Sequence, residues 1–117
     1  MANKVAWFEV VGKDADKLQK FYSQAFGWNM NVAPEMNYGM VDASESGIGG
    51  GVGQAQDGGG HLTVYVEVDD LQAALDKIQN LGGSTVMPPM AVPNGPEIAM
   101  FNDPEGNLVG LLKAQSM

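Results

Sequence analysis

Glu9, inside the run VAWFEV, and His61, the single histidine of the 117-residue sequence, are the side chains best placed to do chemistry. An imidazole exchanges protons near neutral pH. A carboxyl desolvated beside an indole has its pKa raised and becomes a candidate base. Glu9, two residues from Trp7, is therefore the candidate catalytic residue. His61 is a candidate base or ligand, its competing assignment being a strand-start residue satisfied by water. Trp7 and Tyr65 offer faces on which a flat or apolar molecule can stack. Other chemistries are excluded. One histidine and no cysteine make neither a Ser–His–Asp nor a Cys–His arrangement. GIGGGVG fits G-x-G-x-x-G at no offset and no helix pattern opens after it, so it reads as a bent, close-packed edge strand rather than a phosphate cradle.

Composition narrows the partners. The chain has the length of one domain, with 44% hydrophobic and 17% charged residues, as in a folded globular protein. The net charge is −8, and all six positive side chains are lysines. Without arginine the usual fork for phosphate, carboxylate and base edges is missing, so nucleic acid and strongly anionic ligands are disfavoured. No run of 18 apolar residues and no secretory pattern is present, so membrane spanning is not expected and a cytoplasmic location is the default.

The elements that must position Glu9 and His61 come in two copies. VAWFEV, Asp14, a helical pattern through Phe26 and then Gly27 match HLTVYVEV, Asp70, a helical pattern through Leu81 and then Gly82. Asp14 to Asp70 is 56 residues and Gly27 to Gly82 is 55, the spacing of a repeated unit. Leu18, Phe21, Tyr22, Ala25 and Phe26 recur at helical spacing, as do Leu71, Ala74, Leu75 and Ile78. Strands are expected near 28–33, 36–42 and 47–53, and near 84–92, 96–102 and 107–113, with Asn94-Gly95 as a hairpin signal. QAQDGGG (54–60) reads as a flexible linker. Period-2 alternation puts Ala6, Phe8 and Val10 on the helix side of the first strand and Val5, Trp7 and Glu9 opposite. In the second copy His61, Thr63, Tyr65 and Glu67 face away from the helix. The sequence thus predicts an α+β domain over 1–117, with one βαβββ module at about 3–53 and a second at about 60–114.

WFEV…D…FYSQAFGW in the first copy and VYVEVDDLQAALDKIQNLGG…FNDPEGNLVGLL in the second resemble the vicinal oxygen chelate superfamily of glyoxalases, bleomycin-resistance proteins and extradiol dioxygenases. The resemblance implies paired modules whose sheets curl round a concave cavity, a homodimer, and in enzymatic members one divalent metal held by His, Gln or Glu. Its ligand positions fall here on Trp7, Thr63, Gly110 (where DPxGNxxE would end in glutamate) and the stretch SGIGGGVG. All lack a metal-binding side chain, Thr63 being at best a weak oxygen. Gly110, set opposite the bulk of Trp7, then implies a reshaped pocket.

The expected function is metal-independent binding of a small neutral or cationic, partly aromatic or apolar molecule in a cavity between the modules. Its walls would be Trp7, Glu9, His61, Thr63, Tyr65, Leu108 and Gly110. No cofactor is expected. The alternative is a metal-dependent lyase, isomerase or dioxygenase of the same superfamily, with Glu9 and His61 as shifted ligands of one divalent ion. A cofactor-free enzyme with Glu9 as base ranks third.

Overall fold

Each long helix starts where an aspartate takes up its free N–H groups. Asp14 accepts from Lys17 N at 3.1 Å and opens α1 (Ala15–Phe26). Asp70 accepts from Ala73 N at 3.0 Å and opens α3 (Leu71–Asn80). Gly27 ends α1 with φ of 74°, the left-handed conformation glycine adopts without strain. These elements belong to a computed structural model that describes residues 2–55, 59–93 and 95–114. Around the helices run β1 (Val5–Gly12), β2 (Met30–Ala33), β3 (Tyr38–Val41), a single-turn α2 (Ala43–Ser46), β4 (Gly50–Gln54), β5 (His61–Val68), β6 (Ser84–Ala91), β7 (Glu97–Asn102) and β8 (Leu108–Lys113). The class is α+β, and strand–helix–three strands occurs twice, with α2 added to the first copy.

The chain divides into two compact units, residues 7–63 and residues 1–6 with 64–117. In the first, the strand order is β2-β3-β4-β1, with β1 parallel to β4 and the other pairs antiparallel. The glycine run is therefore not an edge strand, as the sequence suggested, but an interior one, buried from Gly50 to Gly53. Its missing side chains are the reason. Aromatic rings lie over both faces of β4: Phe8 over Gly50, and Tyr38 over Gly51 and Gly53.

In the second unit the order is β5-β8-β7-β6, with β5 parallel to β8. Its core is Leu71, Leu75, Ala99 and Leu111, with Val66, Val68, Ala74, Ile78 and Phe101 packed around them. The β7–β8 connection is the Asp103–Gly106 turn, closed by Gly106 N donating to Asp103 O at 2.9 Å. The Asp103 carboxylate also accepts from Asn107 and Glu105 N–H groups. These bonds, those from Asn107 first, lower its pKa below the ordinary carboxylate value.

β6 and β7 form the expected hairpin, although Asn94 lies outside the described residues. So do Gln56, Asp57 and Gly58 of the expected linker. Gln54, expected in that linker, ends β4 instead, and its side chain accepts from Ala15 N at 3.2 Å and donates to Lys13 O. Among the described residues no helix is long and apolar enough to cross a membrane.

Candidate functional site

Within residues 7–63 the two faces of β1 have different chemistry. Phe8 points to the helix side. Its ring lies 5.5 Å from Trp28, which stacks on Tyr22 of α1 at 6.1 Å and 10°. Trp7 and Glu9, one residue either way, take the opposite face. There the structure adds a residue that the sequence reading missed. Tyr38, the first residue of β3, accepts a hydrogen bond from Trp7 Nε1 at 2.9 Å and donates one to Glu9 Oε2 at 2.9 Å. The other carboxylate oxygen, Oε1, lies 3.6 Å from His61 Nε2. That separation is within reach of an ion pair but beyond a hydrogen bond, and Nε2 is shielded from solvent with no hydrogen-bond partner. The result is one polar chain in one unit, Trp7–Tyr38–Glu9–His61, with the Glu9 side chain 17% exposed and His61 35%.

Glycines make the seat for Tyr38. Glu9 is in register with Gly51 on the parallel strand β4. A Cβ on Gly51 would stand 2.0 Å from the Tyr38 ring and hydroxyl, and one on Gly53 would stand 2.6 Å from the ring. Both are closer than any van der Waals contact, so a tyrosine can bridge Trp7 and Glu9 only because β4 is bare there. Glycines two apart in a strand, next to a strand that begins with tyrosine, were the available signal. Trp7 uses a third glycine: a Cβ on Gly49 would meet its ring at 3.1 Å.

The remaining expected residues are placed differently. Thr63 is buried on β5, 4% exposed. Tyr65 and Gly110 belong to the other unit, where β5 and β8 set them in register. The Tyr65 ring fills the space that a Gly110 side chain would need, a Cβ there standing 2.3 Å from it. What Gly110 accommodates is therefore Tyr65, rather than a pocket opened opposite Trp7. For the same reason Tyr65, at 5% exposure, is packed away rather than presented as a stacking face. Leu108 is half-buried at the start of β8.

A metal needs more than this arrangement supplies. Zinc takes four nitrogen, sulfur or oxygen ligands, and calcium or magnesium six or more oxygens. Trp7 and Gly110 contribute no donor atom, and Glu9 with His61 makes two ligands, one of which already takes the Tyr38 hydroxyl. Among the described residues no group of three or more His, Asp or Glu gathers. The residues at the positions implied by the resemblance do not fit a divalent ion.

Comparison with known proteins adds the family. The sequence profile of the Glyoxalase/Bleomycin resistance protein/Dioxygenase superfamily matches residues 4–111. CFP32 of Mycobacterium tuberculosis is 29% identical over 111 residues, covering 92% of this chain and 42% of its own length. The anthracycline biosynthesis protein DnrV of Streptomyces peucetius is 28% identical over 119 residues, covering 86% of this chain and 43% of its own. The chain thus spans less than half the length of these relatives. Among solved structures, a methylmalonyl-CoA epimerase from M. tuberculosis superposes with a TM-score of 0.70 at 13% identity, over 96% of this chain and 88% of that one. At that identity the likeness is one of fold.

Proposed function

The chain belongs to the glyoxalase/bleomycin-resistance/dioxygenase superfamily, and from that premise we propose that it binds a small neutral or cationic, partly flat or apolar molecule without a metal. The site is the face of residues 7–63 that carries Trp7, Tyr38, Glu9 and His61. The observation that carries this reading is the hydrogen-bonded chain from Trp7 Nε1 through Tyr38 to Glu9, with His61 at its end. An indole, a half-buried carboxylate and an imidazole on one face supply stacking area, negative charge and hydrogen-bonding edges. The acidic balance and the lack of arginine favour neutral or cationic ligands over phosphates and glutathione conjugates. A cytoplasmic homodimer remains part of the same proposal, and light scattering of the purified protein tests the dimer.

The test is a screen of neutral and cationic aromatic compounds read by Trp7 fluorescence. It uses untagged protein carrying Trp28→Phe, so that Trp7 is the only indole. Binding should survive chelation and, measured by titration calorimetry so that no indole is needed as reporter, fail in Trp7→Ala. Affinity untouched by Trp7→Ala sinks the site assignment. Stoichiometric metal that disappears in Glu9→Ala or His61→Ala sinks the metal-free reading and favours the lyase, isomerase or dioxygenase alternative.

A further inference from the structure

His61 has one ring nitrogen shut away and the rest of its ring partly open: Nε2 is shielded from solvent without a hydrogen-bond partner, yet the side chain is 35% exposed. What Nε2 faces is a carboxylate oxygen, Glu9 Oε1, at 3.6 Å. A lone pair at that distance from a carboxylate is repelled, whereas an N–H is attracted. A small approach would turn the contact into a charge-assisted hydrogen bond, normally about 2.7–2.9 Å long. The carboxylate is not free to swing away, because Tyr38 holds its other oxygen and Trp7 holds Tyr38, each at 2.9 Å.

We infer that His61 carries its proton on Nε2, aimed at Glu9, and offers Nδ1 as the acceptor for the ligand. The bound molecule then belongs to the class bearing a weakly acidic O–H or N–H. This rests on the ligand-binding reading above and sharpens it: His61 touches the ligand, while Glu9 and Tyr38 are positioning residues. Should the ligand ionise, its proton passes to Nδ1 and the electron pair stays on the ligand oxygen or nitrogen. The imidazolium so formed is balanced by the Glu9 carboxylate across Nε2–H, with no metal and no change of oxidation state.

The chain has one histidine, so imidazole signals from untagged protein labelled with ¹⁵N-histidine report this site alone. The neutral form should show a protonated Nε2 with a slowly exchanging N–H signal, and Nδ1 in the unprotonated range. Glu9→Ala should abolish the slow signal. If that variant does not fold, Glu9→Gln should shift the signal upfield, since an amide cannot make the charge-assisted bond. Phenol as probe should move the Nδ1 resonance, and its methyl ether, anisole, should not. A proton on Nδ1, an Nε2–H signal indifferent to Glu9, or phenol and anisole both perturbing Trp7 fluorescence with no difference at Nδ1 each overturns the inference. Failure of the wider reading looks different: the imidazole pattern stays as described while no compound perturbs Trp7 fluorescence.

Discussion

Gly51→Ala is the substitution that separates a seat for Tyr38 from an ordinary strand glycine. Gly51 does not have positive φ, so alanine can adopt its backbone. On backbone entropy alone the change should stabilise the protein by about 0.4–1 kcal/mol. Geometry demands the opposite sign. The new methyl would lie 2.0 Å from the Tyr38 ring and hydroxyl, and ordinary contact begins near 3.4 Å, so the ring must retreat by more than an ångström. Hydrogen bonds that are 2.9 Å long do not survive that displacement. The bond from Trp7 is worth roughly 1 kcal/mol, and the one to the Glu9 carboxylate about 1.5–3 kcal/mol. Because the ring can relax outward, the expected net loss is about 2–3 kcal/mol, within the range for overpacked cores. Urea denaturation measures it, in a cycle with Tyr38→Ala. Removing the ring removes the clash, so in the Tyr38→Ala background Gly51→Ala should no longer destabilise and should show only the small entropic gain. A Gly51→Ala variant as stable as the parent, or one equally damaged without Tyr38, refutes the seat.

Four further outcomes follow from the same structure. Tyr38→Phe keeps the ring and loses both hydrogen bonds, so it should destabilise by about 1–3 kcal/mol in urea and speed the exchange of the Trp7 indole N–H. Leu75→Ala opens a cavity beneath α3, where Leu75 is 1% exposed, and should destabilise by about 3–5 kcal/mol by the same assay. The Asp103 pKa is lowered by the turn, so its contribution is present above the unfolded carboxylate value and is lost as pH falls through the lower folded value. Asp103→Asn should flatten that acid limb of stability against pH, and an unchanged limb would deny the turn's role. Gly110→Glu, which completes the DPxGNxxE pattern, should destabilise by at least about 1–3 kcal/mol and bring no stoichiometric metal by elemental analysis, because its Cβ meets Tyr65 at 2.3 Å.

Period and punctuation made the fold legible. Asp14, Gly27 and Asp70 sit where a helix needs them, and the 56-residue offset between the two aspartates exposed the repeat. The site was half legible. Alternation along β1 placed Trp7 and Glu9 on the face away from Phe8, but it could not say which strand would lie beside β1. The parallel pairing of β1 with β4, which puts Glu9 beside Gly51, is a long-range fact with no local signature. Tyr38 escaped for that reason, since nothing in NYGMV tells of a carboxylate 29 residues earlier in the chain. Helical spacing misled in one respect. It groups Phe21 and Phe26 with the other apolar positions of α1, yet they are 59% and 62% exposed. Trp28 lies against Phe8 and stacks on Tyr22.

The repeat also explains why Tyr38 is there. Moved by 56 residues, Glu9 becomes Tyr65, and each stands in register with a glycine of its copy's last strand: Glu9 with Gly51, Tyr65 with Gly110. In the second copy the tyrosine covers the glycine opposite it with its own ring. In the first copy the equivalent residue is a carboxylate, too short to cover that space and too polar to be left against bare backbone. A ring from the next strand does both jobs: Tyr38 fills the space over Gly51 and gives its hydroxyl proton to Glu9. One packing problem thus has two solutions. The one that keeps a carboxylate also brings it within 3.6 Å of the only imidazole in the chain. The asymmetry between the two copies is the structural ground for the site proposed in residues 7–63. Exchanging the solutions tests this. Glu9→Tyr with Tyr38→Ala should restore second-copy packing and fold, and should abolish both the Nε2–H signal and ligand binding.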